Sequence, residues 1–394
     1  MSHAHSNTRY RSSPRAIRVL GGIAAVGGAV FLIGLFRAPE RVWPAFLIGF
    51  VMVTGFGLAG LLFLAALRAA NAGWAAALRR VPEAMSRCVP WFGALGLVLL
   101  LGIPFLYSWS DPAVVEGDVL LEGKTGYLNT PAFAVRLLAV FLVWTGFARV
   151  FALQARQQDQ AGSSARSRRR ELITAAAFFA AFAITWSLAS FDWMLSLEPH
   201  WFSTIYTLYT LAGLASAGLA VAIVLLLAMH RAGALGGALR EEHLHDLGKL
   251  LLSFSIFWVY IWYCQYVLIW YTDIPEETVW YLARKEGAWA SLTPVNLALN
   301  WLVPFLVLLP RATKRNAKVL NRIAWVVLAG HLIDLYLLMG PPLMDGGPRF
   351  GVWELVPIGG FVAFFFLLAL HALGKQSAVP ARDPYLAESL GYSA

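Results

Sequence analysis

Ten stretches of this chain are apolar for long enough to cross a lipid bilayer, which leaves few folds open. They cover roughly residues 17–36, 44–67, 89–110, 131–153, 172–190, 201–229, 248–271, 292–310, 319–339 and 353–374. A bilayer core is spanned by about 20 apolar residues of α-helix. The chain is 59% hydrophobic and 13% charged over 394 residues, with mean hydropathy +0.64. A soluble protein of this size has no interior large enough for so much apolar surface. The expected fold is an all-α polytopic membrane protein.

The formal net charge of +9 is topological rather than a sign of nucleic-acid binding. Alternate connections differ sharply in basic residues. The segments 1–18, 68–87, 154–171, 230–249, 311–322 and 375–394 hold 23 of the 31 Lys and Arg residues, and the intervening set holds six. Excess basic residues mark the cytoplasmic side. Both termini are therefore expected in the cytoplasm and the chain in a bacterial inner membrane. Arg166, Arg168, Arg169 and Arg170 read as a topological anchor in contact with lipid phosphate. The first apolar run, led by Arg9, Arg11, Arg15 and Arg18, is long for a signal peptide. It has no convincing cleavage site before Arg37, so it is read as an uncleaved helix.

No connection has room for a second soluble domain. The expected organisation is a tail at 1–16, one transmembrane domain at 17–374 and a tail at 375–394, with both tails poorly ordered. Within the domain, a first helix (17–43) precedes one up-down four-helix bundle (44–190). A second bundle (201–339) and a last helix (353–374) follow. Asp192 and Asp334 fall near the outer end of the fourth helix of each bundle, a weak parallel internal symmetry. The outer loops 111–130 and 272–289 are acidic, and read either as solvated turns or as docking surfaces. Trp280 and Trp289 tilt the second towards docking.

The residues that carry chemistry cluster near the outer face. Asp192, Glu198 and His200 lie in the 191–206 connection, a dense set of titratable groups for an interfacial turn. His331 and Asp334, at i and i+3, share a face of the ninth span. An ionisable group there costs about 2.5–3.5 kcal/mol and needs a partner. An imidazole that accepts a proton beside an orienting carboxylate suits a proton relay or a quinol site; a simple His–Asp packing bond is the alternative. Arg136 lies at the depth of Asp192, so an ion pair is expected, with a snorkelling arginine the alternative. Glu354 opens the tenth span near the depth of Asp334 and extends the acidic set.

The seventh span is aromatic (Trp258, Tyr260, Trp262, Tyr263, Tyr266, Trp270, Tyr271), which reads chiefly as packing. Asn296 and Asn300 read as a bridge between helices. Cys88 and Cys264 are too few for a cysteine-ligated cluster or a four-cysteine zinc site. His230 and His371 are the one pair at a common depth, and no haem is expected. His243-Leu244-His245 is too weak a motif to read as metal-binding. No cofactor is expected to be ligated by this chain.

The string from Ser190 through Asp192, Glu198 and His200 to Thr204, and the His331-Leu-Ile-Asp334-Leu-Tyr336 segment, resemble the NrfD/PsrC-like integral membrane subunits. The closest likeness is to the ActF-type subunit of alternative complex III, a bacterial quinol:cytochrome c (or quinol:oxidase) oxidoreductase. The resemblance covers most of the chain. It implies two four-helix bundles with a flanking helix at each end, and assembly with a paralogous NrfD-like subunit, an iron–sulfur subunit and c-type cytochrome subunits. It also implies quinone or quinol interaction, proton conduction, or both, at Asp192, Glu198, His200, His331 and Asp334. The alternatives are the quinol-oxidising anchor of a molybdopterin reductase, a secondary transporter, or a scaffold subunit. No paired Gly/Pro-broken helices support the transporter.

Overall fold

The structure, a computed structural model, describes residues 9–392. Ten helices among them are long and apolar enough to cross a membrane. Spans one to five are Pro14–Arg37, Pro39–Ala69, Arg80–Leu106, Thr130–Ala161 and Ala165–Leu197. Spans six to ten are Tyr206–Arg231, Glu241–Thr272, Gly287–Leu308, Ala317–Met339 and Val352–Gly374. The protein is an all-α polytopic membrane protein.

The helices outrun their apolar cores where flanking residues favour helix. Span two starts five residues early because Pro39 is preorganised for a first turn and Glu40 complements the helix dipole. Spans four and five continue through Gln- and Arg-rich sequence with high helix propensity. Only residues 162–164 connect them: Gly162 breaks the first helix at φ +76° and Ser164 caps the second. Span eight contains a π-helical turn at Ala298–Leu302, just ahead of Pro304. Proline has no N–H for the carbonyl one turn back, and the wider turn takes up that mismatch.

Spans two to five close into one four-helix ring and spans six to nine into another. The leading helix of each is central: 89% of the apolar window of span two and 83% of that of span six are buried, against 11% for span one. In a bilayer, helices associate through close packing rather than by exclusion from water. Small residues supply that closeness: a Cβ on Gly218 of span six would lie 2.0 Å from the Cβ of Ala59 in span two. Spans one and ten pair with each other, backbone on backbone, where Gly27 meets Gly360, and lie against span two.

Both described chain ends lie at one face, the basic face, and the 191–200 and 272–289 connections lie at the other, the acidic face. The C-terminal segment is packed rather than loose, which corrects the expectation for that tail. Ser389 Oγ donates to the Trp74 carbonyl (2.6 Å) and accepts from Ala77 N–H (3.2 Å), and Tyr392 Oη donates to Asp246 (2.5 Å). Residues 1–8 and 393–394 lie outside the described residues. The arginines of 68–87 are also more than a topological tally. Arg79 and Arg80 are buried in a network with Glu83, Asp159 and Asp383.

Candidate functional site

Span nine turns its inward face to the core of the second bundle, and Asp334 on that face is only 2% exposed. Three other spans supply its partners. Tyr209 Oη of span six donates to Oδ1 at 2.5 Å, Asn296 Nδ2 of span eight donates to Oδ1 at 3.0 Å, and Trp258 Nε1 of span seven donates to Oδ2 at 3.1 Å. Asn300 Nδ2 in turn donates to Asn296 Oδ1 at 2.6 Å. Hydrogen bonds to a charged group contribute about 1.5–3 kcal/mol each. Three of them offset the about 2.5–3.5 kcal/mol cost of placing a carboxylate at this depth.

His331 is not one of those partners. It is one turn, about 5 Å, towards the basic face, and its Nδ1 is buried without a hydrogen bond. The expected His331–Asp334 pairing is thus corrected: neighbouring helices fill both carboxylate oxygens, and the two side chains straddle Gly213 instead. A Cβ there would lie 3.4 Å from Asp334 Oδ2 and 3.5 Å from His331 Nδ1. Ser216 Oγ and Ser255 Oγ are also buried without partners, on the span six and span seven faces that carry Tyr209 and Trp258. Buried polar groups of this kind are normally met by ordered water.

Towards the acidic face, Tyr209 and Asn296 also wall a cavity of about 300 Å³. Trp262, Tyr266, Trp280 and Tyr281 give it flat aromatic sides, and Arg284 and Lys285 stand at its rim. Span seven therefore does three things: Trp258 binds Asp334, Trp262 and Tyr266 face the cavity, and Tyr260, Tyr263, Trp270 and Tyr271 point outwards.

The cavity is roofed by the helix Pro275–Lys285, and Arg284 fastens it. Its guanidinium donates to the carbonyls of Leu337 (2.7 Å), Leu338 (3.0 Å) and Trp280 (2.7 Å), and pairs with Glu198 Oε2 at 2.8 Å. It thereby satisfies the otherwise open carbonyl end of span nine. Trp201 stacks on Trp280 at 4.9 Å and donates to the Glu277 carbonyl at 3.0 Å, joining the 191–206 connection to this roof. Trp280 is buried in these contacts and Trp289 against Gly340 at the end of span nine, so neither tryptophan is left on the surface for docking.

The remaining candidates lie elsewhere. Arg136 Nε and Asp192 Oδ2 form the expected ion pair at 2.7 Å, at the acidic end of the first bundle, with the Tyr127 ring 3.8 Å from the guanidinium. Burial, with Asp192 nearby, pushes the Tyr127 phenol up to about 12. His200 Nε2 meets Asp118 at 2.6 Å on the surface. The Leu121 N–H, and then His200, hold the Asp118 carboxyl below its ordinary range. Glu354 does not extend the acidic set around Asp334. It is bound by Arg41 of span two at 2.7 and 3.0 Å and caps its own helix through the Gly351 N–H at 2.9 Å. His230 and His371 are both exposed. His243 is buried and spent on Arg240 N–H (3.0 Å) and the Trp74 carbonyl (3.0 Å).

Sequence reasoning missed Tyr209, Trp258 and Arg284. The first two look like ordinary span aromatics, and Arg284 is hidden in a loop charge count; its place three residues after Tyr281 and four after Trp280 was the available signal. No known family model matches the chain, and neither does any curated protein.

Proposed function

We propose that this chain is an integral membrane subunit of a quinol oxidoreductase, of the NrfD/PsrC-like kind found in alternative complex III. In this reading the second bundle accepts protons from a quinol bound in its aromatic cavity. The observation that carries it is the arrangement of Tyr209 and Asn296, each of which both walls the cavity and hydrogen-bonds to Asp334. A cavity with flat aromatic sides and a few placed polar groups suits one planar, hydroxyl-bearing ring. Quinol oxidation sheds two protons and two electrons. One proton leaving a quinol hydroxyl is taken by Tyr209 Oη as the phenolic proton passes to Asp334. Once Asp334 has passed that proton on, the second follows by the same relay, while the two electrons go to a redox centre on a partner subunit.

Water held by His331, Ser216 and Ser255 would carry the proton further along the bundle. With the basic face in the cytoplasm, the cavity opens near the outer leaflet of a bacterial inner membrane. The resemblance supplies the partners: a paralogous membrane subunit, an iron–sulfur subunit and c-type cytochromes.

Quinol oxidation and proton release by the assembled complex carrying Asp334→Asn test the proposal. General-base contributions are typically about 10²–10⁴-fold, so turnover is expected to fall by at least about 100-fold with assembly intact. Unchanged turnover and proton stoichiometry would refute it.

A further inference from the structure

At the basic face, the turn that links spans two and three carries two adjoining cavities, both remote from Asp334. The smaller, about 70 Å³, is walled by Arg68, Arg79, Gln158, Ser163 and Glu171. Arg79 is 8% exposed; Glu83 and Asp383 take its Nε and Nη1, and Nη2 is buried without a partner. Arg68 Nη1 donates to Gln154 at 2.5 Å, while its Nε and Nη2 are buried and unpartnered. Ser163 Oγ and Gln158 Oε1 are unpartnered as well. Unmet guanidinium N–H groups at a buried site call for an oxyanion, and their fork matches phosphate. The carboxylate of Glu171 and the free Gln158 Oε1 call for a cationic donor on the same ligand. A phosphate tethered to a primary ammonium answers both.

The second cavity, about 270 Å³, begins at the same turn and shares Leu67, Ala72 and Ala75 as walls with the first. It lies between spans two, six and seven, and side chains such as Phe63, Leu219 and Phe254 make it apolar. An acyl chain is held in such a groove by close packing against its walls. A polar cavity with both charge signs, abutting an apolar groove at the membrane boundary, has the anatomy of a bound phospholipid.

We propose that this turn holds one phospholipid of the phosphatidylethanolamine class. Its phosphate lies on Arg68 and Arg79, its ammonium at Glu171 and Gln158, and one acyl chain lies in the groove between spans two, six and seven. The site is independent of the quinol reading.

Native mass spectrometry of the full chain in mild detergent tests it. The chain is delipidated and offered phosphatidylethanolamine, phosphatidylglycerol or phosphatidylcholine, with soluble phosphoethanolamine and inorganic phosphate as headgroup-only probes. The expected result is one retained phosphatidylethanolamine per chain, held about tenfold more tightly than the other two lipids, a difference of about 1.4 kcal/mol. Arg68→Gln should abolish that retention, and Glu171→Gln should erase the preference over phosphatidylglycerol. Ala70→Phe, at an exposed position on the groove rim, should weaken lipid retention while leaving thermal stability unchanged. Equal retention of the three lipids, or indifference to Arg68→Gln, would overturn the proposal. So would headgroup-only probes that bind as well as the lipid, because the ligand would then be a free phosphate.

Discussion

The Tyr209 hydroxyl and the Asp334 carboxylate are 2.5 Å apart, and they link an aromatic cavity to the interior of a four-helix bundle. Each sits on a different span, so the pair exists only when the second bundle is closed. Tyr209→Phe keeps the ring that walls the cavity and removes the link. On the proposed quinol reading, turnover in the complex is expected to fall about 100-fold, while KM changes little, because the loss would be in proton transfer rather than in ring packing. Steady-state kinetics of the purified variant complex checks this.

Arg284 holds the roof. Arg284→Met leaves the Leu337 and Leu338 carbonyls unbonded and Glu198 without its cation, and breaking a buried pair costs about 3–5 kcal/mol. Glu198→Gln keeps a polar partner at a partly exposed position and should cost about 1 kcal/mol. Thermal unfolding of both single variants and the double variant gives their coupling. A double variant no less stable than Arg284→Met alone is the expected outcome, since Glu198 has lost its role once the arginine is gone.

Gly213 sits between Asp334 and His331 with room for one methyl group, at ordinary contact distances of 3.4–3.5 Å. Gly213→Ala should therefore be tolerated in both stability and turnover. Gly213→Leu must displace one of the two polar side chains. Overpacking of this kind typically costs about 1–3 kcal/mol, and turnover should drop with it. Melting temperature and activity measured together separate the two variants.

The surface pair Asp118–His200 makes a pH-dependent contribution of known sign. The folded-state carboxyl of Asp118 titrates below its ordinary range, so the unfolded chain binds the proton more readily. The stabilisation is complete above the unfolded value of about 4, and is lost as pH falls through the lower folded value. Wild type should melt above Asp118→Asn at neutral pH, and the two curves should converge in acid.

How much of this was legible in the sequence follows from the range of the interactions. Apolar run length fixes a membrane helix locally, so all ten spans could be located, with ends shifted where Pro39, Gly162 and Ser164 act. The Arg136–Asp192 pair was legible because two opposite charges at one depth on adjacent helices have few other partners. Asp334 was legible as an anomaly, but its partners were not. Tyr209 and Trp258 come from two other spans, and nothing in their local sequence distinguishes them from packing residues. Asn296 was legible as a bridge between helices, though not as a bridge to Asp334. Glu354 showed the converse error: its depth suggested company with Asp334, but the capping geometry of its own helix and Arg41 hold it elsewhere. The buried arginines of the basic face were obscured because a charge tally cannot tell a solvated loop from a packed one.

Redox-triggered infrared difference spectroscopy of the assembled complex tests the central claim most directly. If Asp334 takes the quinol proton, a carboxylic C=O stretch appears on quinol oxidation, shifts in deuterium oxide, and vanishes in Asp334→Asn while surviving in Glu354→Gln. A carboxyl band that persists unchanged in Asp334→Asn would contradict the account.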